Sequence, residues 1–176
     1  MVTYYDEISL GYVELHREEQ MKKIKVIKQH LKIRPNSKVL DVGCGPCFAD
    51  WRINLDDKPI KNIEVTGIDP SKELLKLVKL RSIKLFQGRA EALPFNDASF
   101  DYVVSITAIQ NFDDIEKGIK EMKRVLKDDG AAVITYLKNS KKAEKIDMLL
   151  RKHFNIKETI EEEKDVMFFM SKLPAG

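Results

Sequence analysis

A chain of 176 residues, 43% hydrophobic and 34% charged with only 8 Gly and 6 Pro, is long enough to bury one core and too apolar for disorder. Two cysteines rule out a disulfide framework, no apolar run approaches the roughly 18 residues needed to cross a bilayer, and a net charge of +3 identifies no polyanionic partner. The polar, acidic stretch Met1 to Gln20 is unlike a signal or transit peptide, so a cytoplasmic protein is expected.

No repeat or linker interrupts the chain, which predicts a single domain over 1–176, with an N-terminal helical cap (1–36) on a core (37–176). From Asp6 to about Lys32 a helical pattern places Tyr12, Leu15, Ile24, Ile27 and Leu31 on one side, and Pro35 with Asn36 ends it. Short β-branched or apolar runs follow at Val39–Val42, Ile63–Ile68, Ile83–Phe86, Tyr102–Ile106 and Ala131–Tyr136, as suits strands buried on both faces. Between them the pattern predicts helices over Phe48–Leu55, Ser71–Leu80, Asp113–Leu126 and Lys141–Phe154. In the third, Ile115, Ile119, Met122 and Leu126 recur at three- and four-residue steps, with acidic residues in the first turn and basic ones in the last. The tail, Asn155–Glu162 and Asp165–Lys172, reads as two strands joined by an acidic turn. The expected fold is α/β: one Rossmann-like, doubly wound, mostly parallel sheet with a C-terminal antiparallel hairpin at one edge.

The chemistry concentrates in Val39-Leu40-Asp41-Val42-Gly43-Cys44-Gly45-Pro46-Cys47, where a strand runs into a loop that would open a helix. In doubly wound sheets ligands bind at the carboxyl ends of strands, where glycine lets them approach the backbone. A dinucleotide site would need a third glycine where Phe48 stands, and Pro46 removes a useful N–H. Cys44-Gly45-Pro46-Cys47 is similar to the active-site tetrapeptide of thioredoxins, which would imply a reactive thiol, but Asp41-Val42-Gly43 precedes it in place of the aromatic residue usual there. The alternative for the two cysteines is a regulatory disulfide or, favoured, two reduced, partly buried thiols.

A third resemblance covers more of the chain, from about Ser37 to Tyr136. Leu40-Asp41-Val42-Gly43-Cys44-Gly45 resembles the first motif of class I S-adenosylmethionine-dependent methyltransferases, and Val65-Thr66-Gly67-Ile68-Asp69-Pro70-Ser71 follows with an acidic residue at the end of the second strand. Gly88-Arg89-Ala90-Glu91-Ala92-Leu93-Pro94-Phe95, Ser99-Phe100-Asp101-Tyr102-Val103-Val104-Ser105 and Arg124-Val125-Leu126-Lys127-Asp128-Asp129-Gly130 resemble its later motifs in order. The likeness is to the large subgroup that includes the ubiquinone and menaquinone methyltransferases and various small-molecule, RNA and protein methyltransferases. It implies S-adenosyl-L-methionine as cofactor. Asp41 would sit near the methionine ammonium, Gly43, Cys44 and Gly45 would line the chain, and Asp69 beside Pro70 would hold the ribose. Ala90 and Glu91 would flank the adenine, with Ser105 at the end of the fourth strand. Cys47 departs from the family, which often has a third glycine there.

Methyl transfer displaces a neutral thioether and relies on alignment, so no metal is expected. His16, His30 and His153 are scattered, without zinc-like spacing. Ser105 to Phe112 occupies the acceptor-facing place in the family and lacks the Asn/Asp-Pro-Pro-Tyr/Phe signature of amide and exocyclic-amine methylation. Candidate acceptor-positioning residues are Gln110, Asn111 and, on the N-terminal segment, Tyr5, with Tyr4 and Tyr12 as lid candidates. Lys22, Lys23, Lys25, Lys28, Lys32, Arg34 and Lys38 form an uninterrupted basic run that would suit RNA phosphates or a solvated helix face. Ser105 to Phe112 also distantly resembles ribosomal-RNA guanine methyltransferases that require a small activator protein. The acceptor expected first is RNA or a translation-associated protein, then a quinone-precursor-like small molecule, then none, in a non-catalytic cofactor-binding module.

Overall fold

The computed structural model describes residues 4–173, with side chains from His16 onward. One sheet holds β1 (Lys38–Val42), β2 (Glu64–Asp69), β3 (Ile83–Gln87), β4 (Phe100–Ile106), β5 (Leu126–Leu137), β6 (Phe154–Glu161) and β7 (Asp165–Lys172). Their order is β3-β2-β1-β4-β5-β7-β6. The first five are parallel, and β7 runs antiparallel to both β5 and β6, so the C-terminal pair lies at one edge as the sequence predicts. Strand order reverses at β1, which lies between β2 and β4. Connections leave to opposite sides there, opening a crevice at the carboxyl ends of the strands.

Successive strand residues point to opposite faces, and both faces are covered. Leu40, Val42, Val103, Ile134, Phe168 and Met170 pack under α3 (Ile115–Val125) and α4 (Ala143–His153), which contribute Ile119, Met122, Ile146 and Leu150. Val39, Val104, Val133, Met167 and Phe169 face the other way, against Trp51 and against Ile24 and Ile27 of α1 (Tyr4–His30). α3 begins where the Asp114 carboxylate accepts a hydrogen bond from the Lys117 N–H. Among the described residues no helix is long and apolar enough to cross a membrane.

Two helices differ from expectation. α2 spans only Lys72–Lys76, capped by the Ser71 hydroxyl. Phe48–Leu55 is not a helix; it forms turns and a bridge between Ile53 and Pro59. Tertiary contacts override the local pattern there: Cys47 has a left-handed φ of 49°, and Trp51 is drawn fully into the core, where its indole N–H donates to Asp41 at 2.8 Å.

Candidate active site

The crevice is a cleft of about 360 Å³ at the ends of β1, β2 and β4, walled by Gly43, Gly45, Asp69, Ala90, Thr107 and Ala108, among others. Gly43 and Gly45 both take left-handed backbone conformations, φ 70° and 53°. A Cβ on Gly43 would lie 2.5 Å from the Cβ of Ala108, so glycine is required both by conformation and by the close approach of the two walls.

The loop is fastened from below. Backbone N–H groups of Gly43 and Cys44 donate to the Ile68 carbonyl, at 2.8 and 3.2 Å. The Asp69 carboxylate accepts from the N–H of Gly45 and from that of Ser71, each at 2.8 Å. A carboxylate accepts several hydrogen bonds at once, so these two fix its orientation while it lines the cleft beside Pro70. Asp41 sits on the side of β1 facing α1 and is buried; burial, together with the nearby Asp69 charge, pushes its pKa up to about 6 against the opposing Trp51 hydrogen bond. It lines a small recess under the loop with Gln20 of α1, Gly43, Cys44 and Gly45.

The remaining predicted residues separate into two groups. Ala90 and Glu91 line the main cleft, but the Glu91 carboxylate also accepts from the Asp113 and Asp114 N–H groups, holding the entrance to α3 against the wall. Asn111 lines the cleft and is exposed. Ser105 does not line it: its side chain is fully buried, with its hydroxyl oxygen unpartnered. Gln110 is turned inward, its amide donating to the Thr107 carbonyl at 2.8 Å and its oxygen buried without a partner. The side chains of Tyr4, Tyr5 and Tyr12 lie outside the described residues. Cys44 and Cys47 are free, buried thiols, and the Cys47 thiol together with burial pushes the Cys44 thiol well above its ordinary value, opposite to the activation a redox enzyme requires. No group of three or more metal-ligating side chains occurs among the described residues.

Several contributors carry no local sequence signal. Arg89 pairs with Asp113 across the cleft rim. Lys23, read as part of a basic face, is buried in an ion pair with Asp165 at 2.8 Å, and Lys28 donates to the Asp50 carbonyl. Both partners are distant in sequence, so neither contact is visible in a local pattern.

A family model described as "Methyltransferase domain" matches residues 40–134, and the chain belongs to that family, in the class I S-adenosylmethionine-dependent fold. It is 37% identical over 140 residues to the demethylmenaquinone methyltransferase of Staphylococcus epidermidis, covering 74% of this chain and 57% of that protein. The chain therefore spans little more than half the length of that curated relative. Among solved structures, the methyltransferase in complex with the Haloferax volcanii Trm112 activator superposes with a TM-score of 0.80 at 17% identity, covering 98% of this chain and 99% of that one. An Aquifex aeolicus SAM-dependent methyltransferase gives 0.68 at 16% identity, covering 93% of both chains. At these identities the two structures share the fold.

Proposed function

We propose that the chain transfers a methyl group from S-adenosylmethionine to a small, electron-rich acceptor of the quinol class. The observation that carries the cofactor part is the left-handed Gly43–Gly45 loop, with the Asp69 carboxylate oriented at its edge by two backbone N–H groups. The cleft volume and its donor set fit the cofactor: Asp69 for the ribose hydroxyls, Asp41 for the ammonium, and Ala90 with Glu91 along the adenine. The bound sulfonium supplies an activated methyl group. The chain's own part is to align it with the acceptor and keep water from the line of attack.

Similarity to the demethylmenaquinone methyltransferases supports the acceptor class. Asn111 would orient such an acceptor by hydrogen bonding, a role supported by its exposed position in the cleft wall. A second reading is favoured by the near-complete superposition on a methyltransferase solved with its activator: a small activator protein completes the acceptor side for RNA or protein. Incubation with methyl-labelled cofactor and separate demethylated-quinol, RNA and protein fractions tests the two. Label in the quinol fraction is expected. Label confined to RNA or protein, and only with an added activator, would replace the first reading with the second.

A further inference from the structure

Thr107 is the first residue past β4, lies in the cleft wall, and adopts a left-handed φ of 53°. For a β-branched residue this is an unfavourable conformation that persists only when its surroundings impose it. Every polar group of Thr107 is engaged. Its N–H donates to the Thr135 carbonyl at 3.1 Å and to the Thr135 hydroxyl at 2.8 Å. Its carbonyl accepts from the Gln110 amide at 2.8 Å. Its hydroxyl accepts from the Lys23 ammonium at 3.0 Å and lies 3.3 Å from the Asp165 carboxylate.

Lys23 is the unusual member of this set. It reaches from α1 into the protein, its side chain 6% exposed, and its charge is met by Asp165 at 2.8 Å and Glu19 at 3.2 Å. Two ionised groups withdrawn from water are costly to bury, and hydrophobic side chains of similar volume would commonly serve stability as well or better. What an ammonium provides and a hydrocarbon does not is a fixed donor aimed at the Thr107 hydroxyl. The residue that follows, Ala108, is the one whose Cβ presses on Gly43, so the conformation of Thr107 sets the distance between the two cleft walls.

We infer that Lys23, held by Asp165, is a positioning residue of the cofactor cleft: it locks Thr107 in its left-handed conformation, which seats Ala108 against Gly43 and preforms the wall. This rests on the cofactor reading above. The pair also ties α1 and β7 to the cleft, so the N-terminal helix is part of the binding machinery though none of its described side chains lines the main cleft.

The test measures S-adenosylhomocysteine affinity by calorimetry for the Lys23→Met/Asp165→Asn pair, which removes both buried charges together, in the parent and in a Thr107→Gly background. Glycine adopts the left-handed conformation without a clamp. The pair should therefore weaken binding about tenfold in the parent and less than twofold in the Thr107→Gly background. Equal losses in both backgrounds, or no loss in either, would overturn the inference, because an ion pair that only stabilises the fold is indifferent to residue 107. Thr107→Val serves as a second variant should the pair not fold, since it leaves the ion pair intact and removes only the clamped hydroxyl. It should bind several-fold more weakly, and parent-like binding would overturn the clamp. A parent protein that fails to bind removes the cofactor reading and the clamp together, whereas a parent that binds, with variants that bind equally well, removes only the clamp.

Discussion

Asp41 is a buried carboxylate at the base of the cofactor loop. Its pKa in the fold, about 6, lies above the value near 3.8 that an unfolded chain gives it. The folded state therefore holds an extra proton on Asp41 between these values, so the contribution of Asp41 to stability falls as pH rises from about 4 through 6 and is constant above. Asp41→Asn keeps an oxygen for the Trp51 indole and removes the buried charge. It should raise unfolding free energy at pH 7 by about 1–3 kcal/mol, with the gain vanishing below about pH 4, in denaturant titrations at several pH values. The same substitution should weaken cofactor binding, because the bound ammonium favours the ionised carboxylate. A variant no more stable than the parent at pH 7 would contradict the assignment. Gly43 is decided by geometry: Gly43→Ala must adopt a left-handed φ and meet Ala108 at 2.5 Å, which should cost roughly 2–4 kcal/mol in the same measurement. Both residues were legible in the sequence, since a strand followed by Gly-Cys-Gly marks the loop by itself. Thr107 and the inward turn of Gln110 were not, because no local preference announces a left-handed threonine.

At the scale of elements, strands were easier to read than helices. Runs such as Val39–Val42 and Ala131–Tyr136 are apolar on both faces whatever packs on them, so composition alone marks them. Phe48–Leu55 carries apolar residues at helical spacing but is shaped by tertiary contacts, among them Trp51 with Asp41 and Lys28 with the Asp50 carbonyl. The lysines of α1 and of the loop that follows it show the same limit. Lys25 and Lys32 are exposed, Lys22 is exposed and paired with Glu18, whereas Lys23 and Lys28 are engaged inside the fold. Burial lowers the Lys28 pKa against the opposing charges of Asp50 and Asp57. Lys25→Gln and Lys32→Gln should leave unfolding free energy within about 0.5 kcal/mol of the parent, while Lys28→Gln should cost about 1 kcal/mol. Equal effects at all three positions in chemical denaturation would mean that the face is uniformly solvated.

The described residues build one seven-stranded sheet with a cleft at the reversal of strand order, and a ligand held there bridges β1, β2 and β4. Binding to the folded state alone should stabilise it by about 2.7 kcal/mol at a ligand concentration one hundred times Kd, raising the melting temperature by roughly 5–10 °C. A melting temperature unchanged by saturating S-adenosylhomocysteine would count against a preformed cleft. Whether the Gly43–Gly45 loop and Asp69 form a cofactor site is decided by isothermal calorimetry with S-adenosylhomocysteine on the parent and on Asp69→Ala, with the fold of both checked by circular dichroism. One site per chain is expected in the parent and a ten- to hundredfold weaker one in the variant, the loss expected when a carboxylate shared by two ribose hydroxyls is removed. No binding by the parent, or unchanged affinity in a folded Asp69→Ala, would mean that the loop and Asp69 do not form that site.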